Sequence, residues 1–296
     1  MTHRPIKISV IVSLYDGIRY LGGFLADIAR QTIFEESEFI IVHNQPTDEE
    51  RALIAAFGQQ CACHLRHITV PREPLYASWN RGIEAASADI LTVWNVDDTR
   101  PADSLERQAA FLAESPVVAL TYGDFVNIER YGDTEGPAKQ LPEFNRTLFL
   151  KKCKTGPFVA WRKRCAETVG LFDEQFKSAG DYDYWARIAT HFPMQKTPGP
   201  ALGYFLNEKR GLSTDNSGLA MTERNVVNLR YGNFDRITYR HLKQVSAYRI
   251  GEIRFNGAWN PVGEFIPDYH QLISARKRRF WFFSMVRPLL GLPNNI

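Results

Sequence analysis

Long apolar runs are missing from this 296-residue chain. None approaches the roughly 20 residues needed to cross a bilayer, so no membrane-spanning helix is expected. Cysteine is scarce as well: Cys61, Cys63, Cys153 and Cys165 form neither a zinc-ligand spacing nor a C-x-x-C pair, since Cys61-Ala62-Cys63 is C-x-C. They read as reduced thiols of a cytosolic protein. An excess of one charge is absent too. Lys and Arg number 36 against 33 Asp and Glu, a net charge of +3, and the basic residues are not massed on any long helix. Nucleic acid is therefore not an expected partner. Met1 to Lys7 leads straight into a strand pattern, so no signal peptide is expected. Glycine is thin where a phosphate loop would need it: residues 12 to 20 hold only Gly17, which counts against a nucleotidyltransferase.

What is present is an ordinary globular composition, 44% hydrophobic and 23% charged, long enough for one large or two small domains. The first half alternates strands and helices. Strands are predicted over 6–14, 39–42, 65–70, 90–94 and 117–122, with helices over 20–31, 49–57, 75–86 and 102–113 between them. Such alternation gives an α/β fold with a mostly parallel sheet covered by helices on both faces. After about Tyr131 the pattern changes: 132–142 reads as loop, 158–161 as a strand facing the sheet end, 165–169 and 181–190 as helices. Further helices are predicted over 219–229 and 238–250. The domain reading is a first domain over 1–205, in two halves of about 1–125 and 126–205. A helical extension over 206–296 follows.

Asn95-Val96-Asp97-Asp98 is the most informative run. It ends the apolar strand Ile90-Leu91-Thr92-Val93-Trp94, and ligands of open α/β sheets bind outside the carboxyl ends of such strands. Two adjacent carboxylates with no cationic neighbour in sequence repel unless something positive sits between them. Mg²⁺ or Mn²⁺ with a diphosphate ligand fits. The alternative is that one Asp caps the helix from Ala102 and the other is solvated.

Five segments in order carry a resemblance. They are Ser9-Val10-Ile11-Val12-Ser13-Leu14-Tyr15-Asp16, Phe39-Ile40-Ile41-Val42-His43-Asn44-Gln45-Pro46-Thr47-Asp48, Leu75-Tyr76-Ala77-Ser78-Trp79-Asn80-Arg81-Gly82-Ile83, Asn95-Val96-Asp97-Asp98, and Gly170-Leu171-Phe172-Asp173-Glu174 with Gly180-Asp181-Tyr182-Asp183-Tyr184-Trp185-Ala186-Arg187. Over about residues 8–213 the chain resembles the inverting glycosyltransferases of family 2, which have the GT-A fold; the resemblance implies that 1–205 is a catalytic domain with a nucleotide-sugar half (about 1–125) and an acceptor half (about 126–205).

The resemblance implies a metal-dependent transfer from a nucleotide diphosphate sugar to a glycan or lipid-linked glycan acceptor. The expected setting is cell-surface polysaccharide or glycolipid synthesis at the cytoplasmic membrane face. It implies Asp181 as catalytic base, with Asp183 as its understudy; the alternative for Asp181 is a helix N-cap. Asp97 and Asp98 would hold the metal. Ser13, Leu14, Tyr15, Asn44, Asn80, Arg81, Asn95, Asp97 and Arg210 would line the nucleotide sugar, Arg210 with Ser213 on a loop that closes over the diphosphate. Trp161 and Arg162 would line the acceptor side, or Trp161 is a core residue. Arg81 is equally a solvated helix-face residue. Departures are His43-Asn44 where the family has acids for the base, and Gly180 where it often has Glu. A catalytically silent sugar-nucleotide-binding module remains the second alternative. The stretch 276–292, Arg276-Lys277-Arg278-Arg279 followed by Phe280-Trp281-Phe282-Phe283, resembles an interfacial membrane anchor, or else a helix docked on the core.

Overall fold

A computed structural model describes residues 5–61, 63–207, 218–231, 233, 248, 250–255 and 258–261. Arg210, Ser213, the stretch 276–292 and most of the helix expected over 238–250 lie outside the described residues. The chain packs as two units, Met1–Thr214 and Asp215–Ile296.

In the first unit the elements run β1 (Ile8–Leu14), α1 (Ile18–Ala29), β2 (Ser37–Asn44), α2 (Asp48–Gln60), β3 (His64–Val70), α3 (Leu75–Ala85), β4 (Ile90–Val93) and α4 (Ser104–Glu114). They continue with β5 (Leu120–Tyr122), β6 (Phe125–Ile128), β7 (Ala138–Lys139), α5 (Arg146–Lys151), β8 (Val159–Arg162), α6 (Cys165–Val169), α7 (Gly180–His191), β9 (Met194–Lys196) and β10 (Tyr204–Leu206). Seven strands form the main sheet in the order β3-β2-β1-β4-β8-β5-β9. All are parallel but β8, which runs antiparallel between β4 and β5. Every residue of β2 is buried, as is all of β1 except Ser13. That accounts for their near-continuous apolar sequences: a central strand covered on both faces has no solvent side to alternate with. Residues 158–161, expected at the sheet end, thus form a central strand.

A second sheet of three strands, β10-β6-β7, stands beside the first. β10 spans the domain boundary expected at residue 205. Its Tyr204 pairs with Thr99 just after the acid run. These strands have two to four residues each, too short for a periodic signal.

Two glycines mark where helices approach closely. Gly82 of α3 faces Ile11 of β1, and an added Cβ would lie 2.3 Å from the Ile11 side chain. Gly180, the first residue of α7, faces Tyr76 of α3 with only 2.6 Å for a Cβ. The Tyr76 ring fills the space that a side chain at position 180 would use, which accounts for the glycine where the family often has Glu.

An aromatic cluster fixes α7 to α3 and β8. Phe172 lies at its centre, its ring 5.7 Å from Tyr76, 5.3 Å from Trp79, 6.2 Å from Trp161, 4.1 Å from Tyr184 and 5.6 Å from Trp185. Trp161 is fully buried and packs 4.9 Å from Trp185. The acceptor-side role expected of Trp161 is therefore not available to it.

In the second unit α8 (Leu219–Arg230) is followed by the antiparallel pair β11 (Glu252–Phe255) and β12 (Ala258–Pro261). Tyr248 donates to the buried Glu223 of α8 at 2.8 Å.

Candidate active site

Parallel pairing of β3, β2, β1 and β4 brings their carboxyl ends to one edge of the sheet. Tyr15, Asn44 and the Asn95–Asp98 run all follow strands that end there. α7 reaches the same edge by a different route. It feeds β9, which is parallel to β5 and so begins at the amino edge; α7 must therefore start at the carboxyl edge. The packing of Gly180 on Tyr76, in the first turn of α3, agrees with that direction. Asp181 at the start of α7 and Asp97 after β4 thus face one side of the sheet.

The two acids of the β4 run are not equivalent. Asp97 is half-exposed, whereas Asp98 is 2% exposed. Asp98 Oδ1 accepts the Leu206 N–H at 3.1 Å, and Oδ2 accepts the Asn95 amide at 3.3 Å. Its backbone carbonyl accepts the Trp94 indole N–H at 2.9 Å. Burial, then the charge of Asp97, pushes the Asp98 carboxyl well above its ordinary value, against the pull of Leu206, Asn95 and Arg100. Asp98 is thereby a buried fastener between the acid run and β10, not an open ligand. Neither acid caps the next helix, because α4 starts at Ser104 behind Asp103.

Under this run lies Arg100, 3% exposed. Its guanidinium donates to Ser104 Oγ at 3.1 Å, Gln108 Oε1 at 2.9 Å, Thr92 Oγ1 at 3.1 Å and the Val93 carbonyl at 3.2 Å. Burial pulls its pKa down to about 9, still charged at neutral pH, against the opposing effect of Asp98 and Asp27.

Asp181 occupies the second position of α7, half-buried, with Oδ1 accepting the Tyr182 N–H at 2.7 Å. The residue before the helix is Ala179 and supplies no side-chain cap, so the N-cap alternative for Asp181 falls. An acid in the first turn is favoured by the helix dipole. Asp183 is fully buried and ion-paired to Arg187 at 3.0 Å, one turn on. That pairing removes it as an understudy base.

Tyr15 is 46% exposed at the end of β1, and the Arg72 guanidinium lies over its ring at 3.5 Å. Asp16, next in the turn, has a left-handed backbone (φ 48°), a conformation Asp tolerates better than most residues. Arg72 escaped the sequence reading. The one signal for it was the Pro71-Arg72-Glu73-Pro74 loop directly after a strand ending at the same edge. Ser13 is half-buried beside it, and Leu14 is fully buried, leaving a ligand only its backbone.

Other expected nucleotide ligands are committed elsewhere. The Asn44 amide donates to Ser78 Oγ at 2.9 Å and accepts the Glu73 N–H at 3.0 Å, fully buried. Asn80 donates to the Phe172 carbonyl at 3.0 Å and Glu174 at 2.9 Å, and accepts the Phe172 N–H at 2.9 Å. Arg81 lies on the surface, gripping Glu73 at 2.8 and 3.1 Å. Arg162 is at the wrong end of the sheet: because β8 is antiparallel, it pairs with Ile90 at the amino end of β4. There it holds the carbonyls of Val118, Leu112 and Ser115.

Among the described residues no group of three His, Cys, Asp or Glu could hold a metal ion. The half-exposed Asp97 carboxylate, with Asn95 beside it, nonetheless suits a hard cation that takes its remaining ligands from phosphate, the usual mode for Mg²⁺.

The sequence model of Glycosyl transferase family 2 matches residues 9–169, more than half of the chain. The chain belongs to glycosyl transferase family 2. An uncharacterized glycosyltransferase of Nostoc sp. is 27% identical over 179 residues, 57% of this chain and 54% of its own. A PGL/p-HBAD biosynthesis glycosyltransferase of Mycobacterium bovis is 28% identical over 178 residues, 60% of this chain and 67% of its own. The chain thus spans about half the length of the Nostoc relative. Among solved structures, Staphylococcus aureus TarS (residues 1–349) superposes with a TM-score of 0.61 at 17% identity, covering 82% of this chain and 70% of that one. A Pyrobaculum calidifontis mannosyltransferase in complex with GDP-Man and Mn²⁺ gives 0.56 at 18%, covering 98% and 75%. These likenesses establish a GT-A-like fold for this family member.

Proposed function

We propose that this family 2 chain transfers a sugar from a nucleotide diphosphate donor to an acceptor hydroxyl with inversion. The observation that carries the reading is the convergence of Asp97, at the end of β4, and Asp181, at the start of α7, on the carboxyl edge of the sheet. Donor type is supported by two structural neighbours: TarS has been solved with UDP-GlcNAc, and the mannosyltransferase with GDP-Man.

The Asp181 carboxylate accepts the acceptor hydroxyl proton as its oxygen attacks the anomeric carbon, and the bond from that carbon to the diphosphate breaks. The nucleoside diphosphate departs from the opposite face, so the anomeric configuration inverts. Tyr15 and Arg72 together offer an aromatic face and a cation at the nucleotide end. Asp97 would hold Mg²⁺ or Mn²⁺, which when bound neutralises the charge gathering on the departing phosphates. The mycobacterial relative is named for PGL/p-HBAD biosynthesis, and the acceptor in this reading is a glycan or lipid-linked glycan. Work at the cytoplasmic face of a membrane, as peripheral protein, fits an acceptor of that kind.

Asp181→Asn is the test. Asn keeps the hydrogen bond to the Tyr182 N–H, so the variant should fold and bind a donor from a nucleotide-sugar panel normally. Transfer should fall on the order of 10²–10⁴-fold. Near-normal transfer would remove Asp181 as base. Asp183→Asn should act on stability instead, since it breaks a buried pair with Arg187, a loss of about 3 kcal/mol.

A further inference from the structure

Between Asn145 and Gly156 the chain carries Arg146, Lys151, Lys152 and Lys154 and no acidic residue. All four are exposed, and none is paired with a carboxylate among the described residues. In their midst Leu148 is 64% exposed, one of the most exposed large apolar side chains in the structure. Leu148 and Lys151 are spaced i, i+3 on α5 and so share a face, and Lys152 follows at its extended C-cap.

This face is mounted firmly. Phe149, the neighbour of Leu148, is 3% exposed and packs with its ring 5.9 Å from Phe144 and 6.3 Å from Tyr182. Asn145 caps the helix by accepting the Leu148 N–H at 3.0 Å, and the Tyr182 hydroxyl donates to the Leu150 carbonyl at 2.9 Å. Tyr182 follows Asp181 directly, so α5 is bonded to the first turn of α7. An apolar side chain held outward among unpaired cations costs stability in water and gains nothing from a small soluble anion. It suits a surface that offers both anionic phosphates and hydrocarbon.

We propose that the face formed by Leu148, Lys151 and Lys152, extended by Lys154, docks on an anionic phospholipid bilayer. Docking there brings the start of α7 to the membrane, where the head of a lipid-borne acceptor can reach Asp181. That consequence rests on the transferase reading above; the docking itself does not. These residues are distinct in sequence from the basic-aromatic stretch 276–292, which the test leaves unaltered.

The experiment is sedimentation of the full chain with vesicles of phosphatidylcholine alone or with roughly 30% phosphatidylglycerol to supply an anionic surface. The native chain should bind the anionic vesicles. Lys151→Gln with Lys152→Gln should weaken that binding about 10- to 30-fold, as expected for about one tenfold or less per lysine. Arg51→Gln with Arg164→Gln, an equal loss of charge at exposed positions, should leave it nearly unchanged. Leu148→Ser should weaken the binding that survives in high salt, where charge is screened. Nucleotide-sugar binding, measured in the same variants, should stay native, which separates failure of docking from failure of the transferase reading. Equal vesicle binding by the native chain and the lysine variant would overturn the proposal. So would tight, lysine-dependent binding to long-chain polyphosphate without binding to vesicles, which would make the face a seat for a soluble polyanion.

Discussion

Asp97 and Asp98 are adjacent in sequence and opposite in circumstance. The backbone N–H of Leu206, 108 residues away, satisfies one and buries it, while its neighbour stays at the rim. The two single alanine variants should therefore part company. Asp97→Ala should lose the Mn²⁺-dependent share of nucleotide diphosphate affinity in calorimetry and melt like the native protein. Asp98→Ala leaves the Leu206 N–H without its acceptor and should lower stability by about 1–3 kcal/mol. Equal loss of metal dependence in both variants, without a change in melting, would return Asp98 to the metal. At this scale the sequence conveyed the chemistry of the run but not its division of labour. Asn44 and Asn80 show the same limit. Each is an amide at a plausible edge position, yet each is consumed by groups 29 to 94 residues distant, Glu73 and Ser78 for one and Phe172 and Glu174 for the other. No local pattern announces such a partner.

At the scale of elements, local signals were reliable wherever one strand or helix could be judged by its own period. β1, β2, α3 and β4 appear within two residues of expectation. Direction was the hidden variable. β8 was recognisable as a strand from Phe158-Val159-Ala160-Trp161, but its antiparallel insertion sends Arg162 to the far end of the sheet and Trp161 into the core. A second element-scale device ties β2, β3, α2 and the β1–α1 turn together. Glu50, in the capping box of α2, accepts the Gly17 N–H at 2.9 Å, the Thr47 N–H at 3.0 Å and the Thr47 hydroxyl at 2.8 Å. It also meets His43 Nε2 at 3.2 Å, and His43 Nδ1 meets His67 Nε2 at 3.0 Å. Burial lowers the pKa of both histidines from 6.5, despite the pull of Glu50 on His43; His43 and Arg51 add to the lowering at His67. For Glu50 burial acts upward, but the bonds from Thr47, Gly17 and His43 outweigh it and hold the carboxyl below 4.5.

The sign follows from proton counting. Both histidines bind a proton less readily in the fold than in the unfolded chain, which takes up protons near pH 6.5, so their contribution to stability is complete above that pH. It is lost as pH falls from 6.5 through the lowered native values, and Glu50 adds a further loss below 4.5. Each proton contributes at most about 1.4 kcal/mol per pH unit. Urea unfolding at pH 7.5, 6.5 and 5.5 should show this decline, and His67→Gln should remove about half of it over the upper window. A variant that declines as steeply as the native chain would show that the pair does not carry the effect.

For the first unit as a whole, the order β4-β8-β5 has the larger consequence. The division expected near residue 125 separates a nucleotide half from an acceptor half, yet β8, from the second, is the strand that joins β4 to β5 within the first. The aromatic cluster crosses the same line, with Tyr76 and Trp79 on one side and Trp161, Phe172, Tyr184 and Trp185 on the other. The two stretches thus belong to one folded body. A fragment ending at residue 125 would leave β4 with a bare edge, β5 without a neighbour and the inner faces of Tyr76 and Trp79 in water. Unpaired edges and exposed aromatics of this kind favour association over folding. The fragment should show no cooperative thermal transition by circular dichroism and should aggregate, whereas residues 1–214 should melt in a single step. A sharp, reversible transition in the shorter fragment would mean that β1 to β4 form a sufficient core alone. Asp97 and Asp181 would then sit on bodies free to move against each other. A single transition that requires β8 instead fixes the end of β4, which carries Asp97, and the start of α7, which carries Asp181, in one folded body, the rigidity that the proposed in-line attack on a bound donor needs.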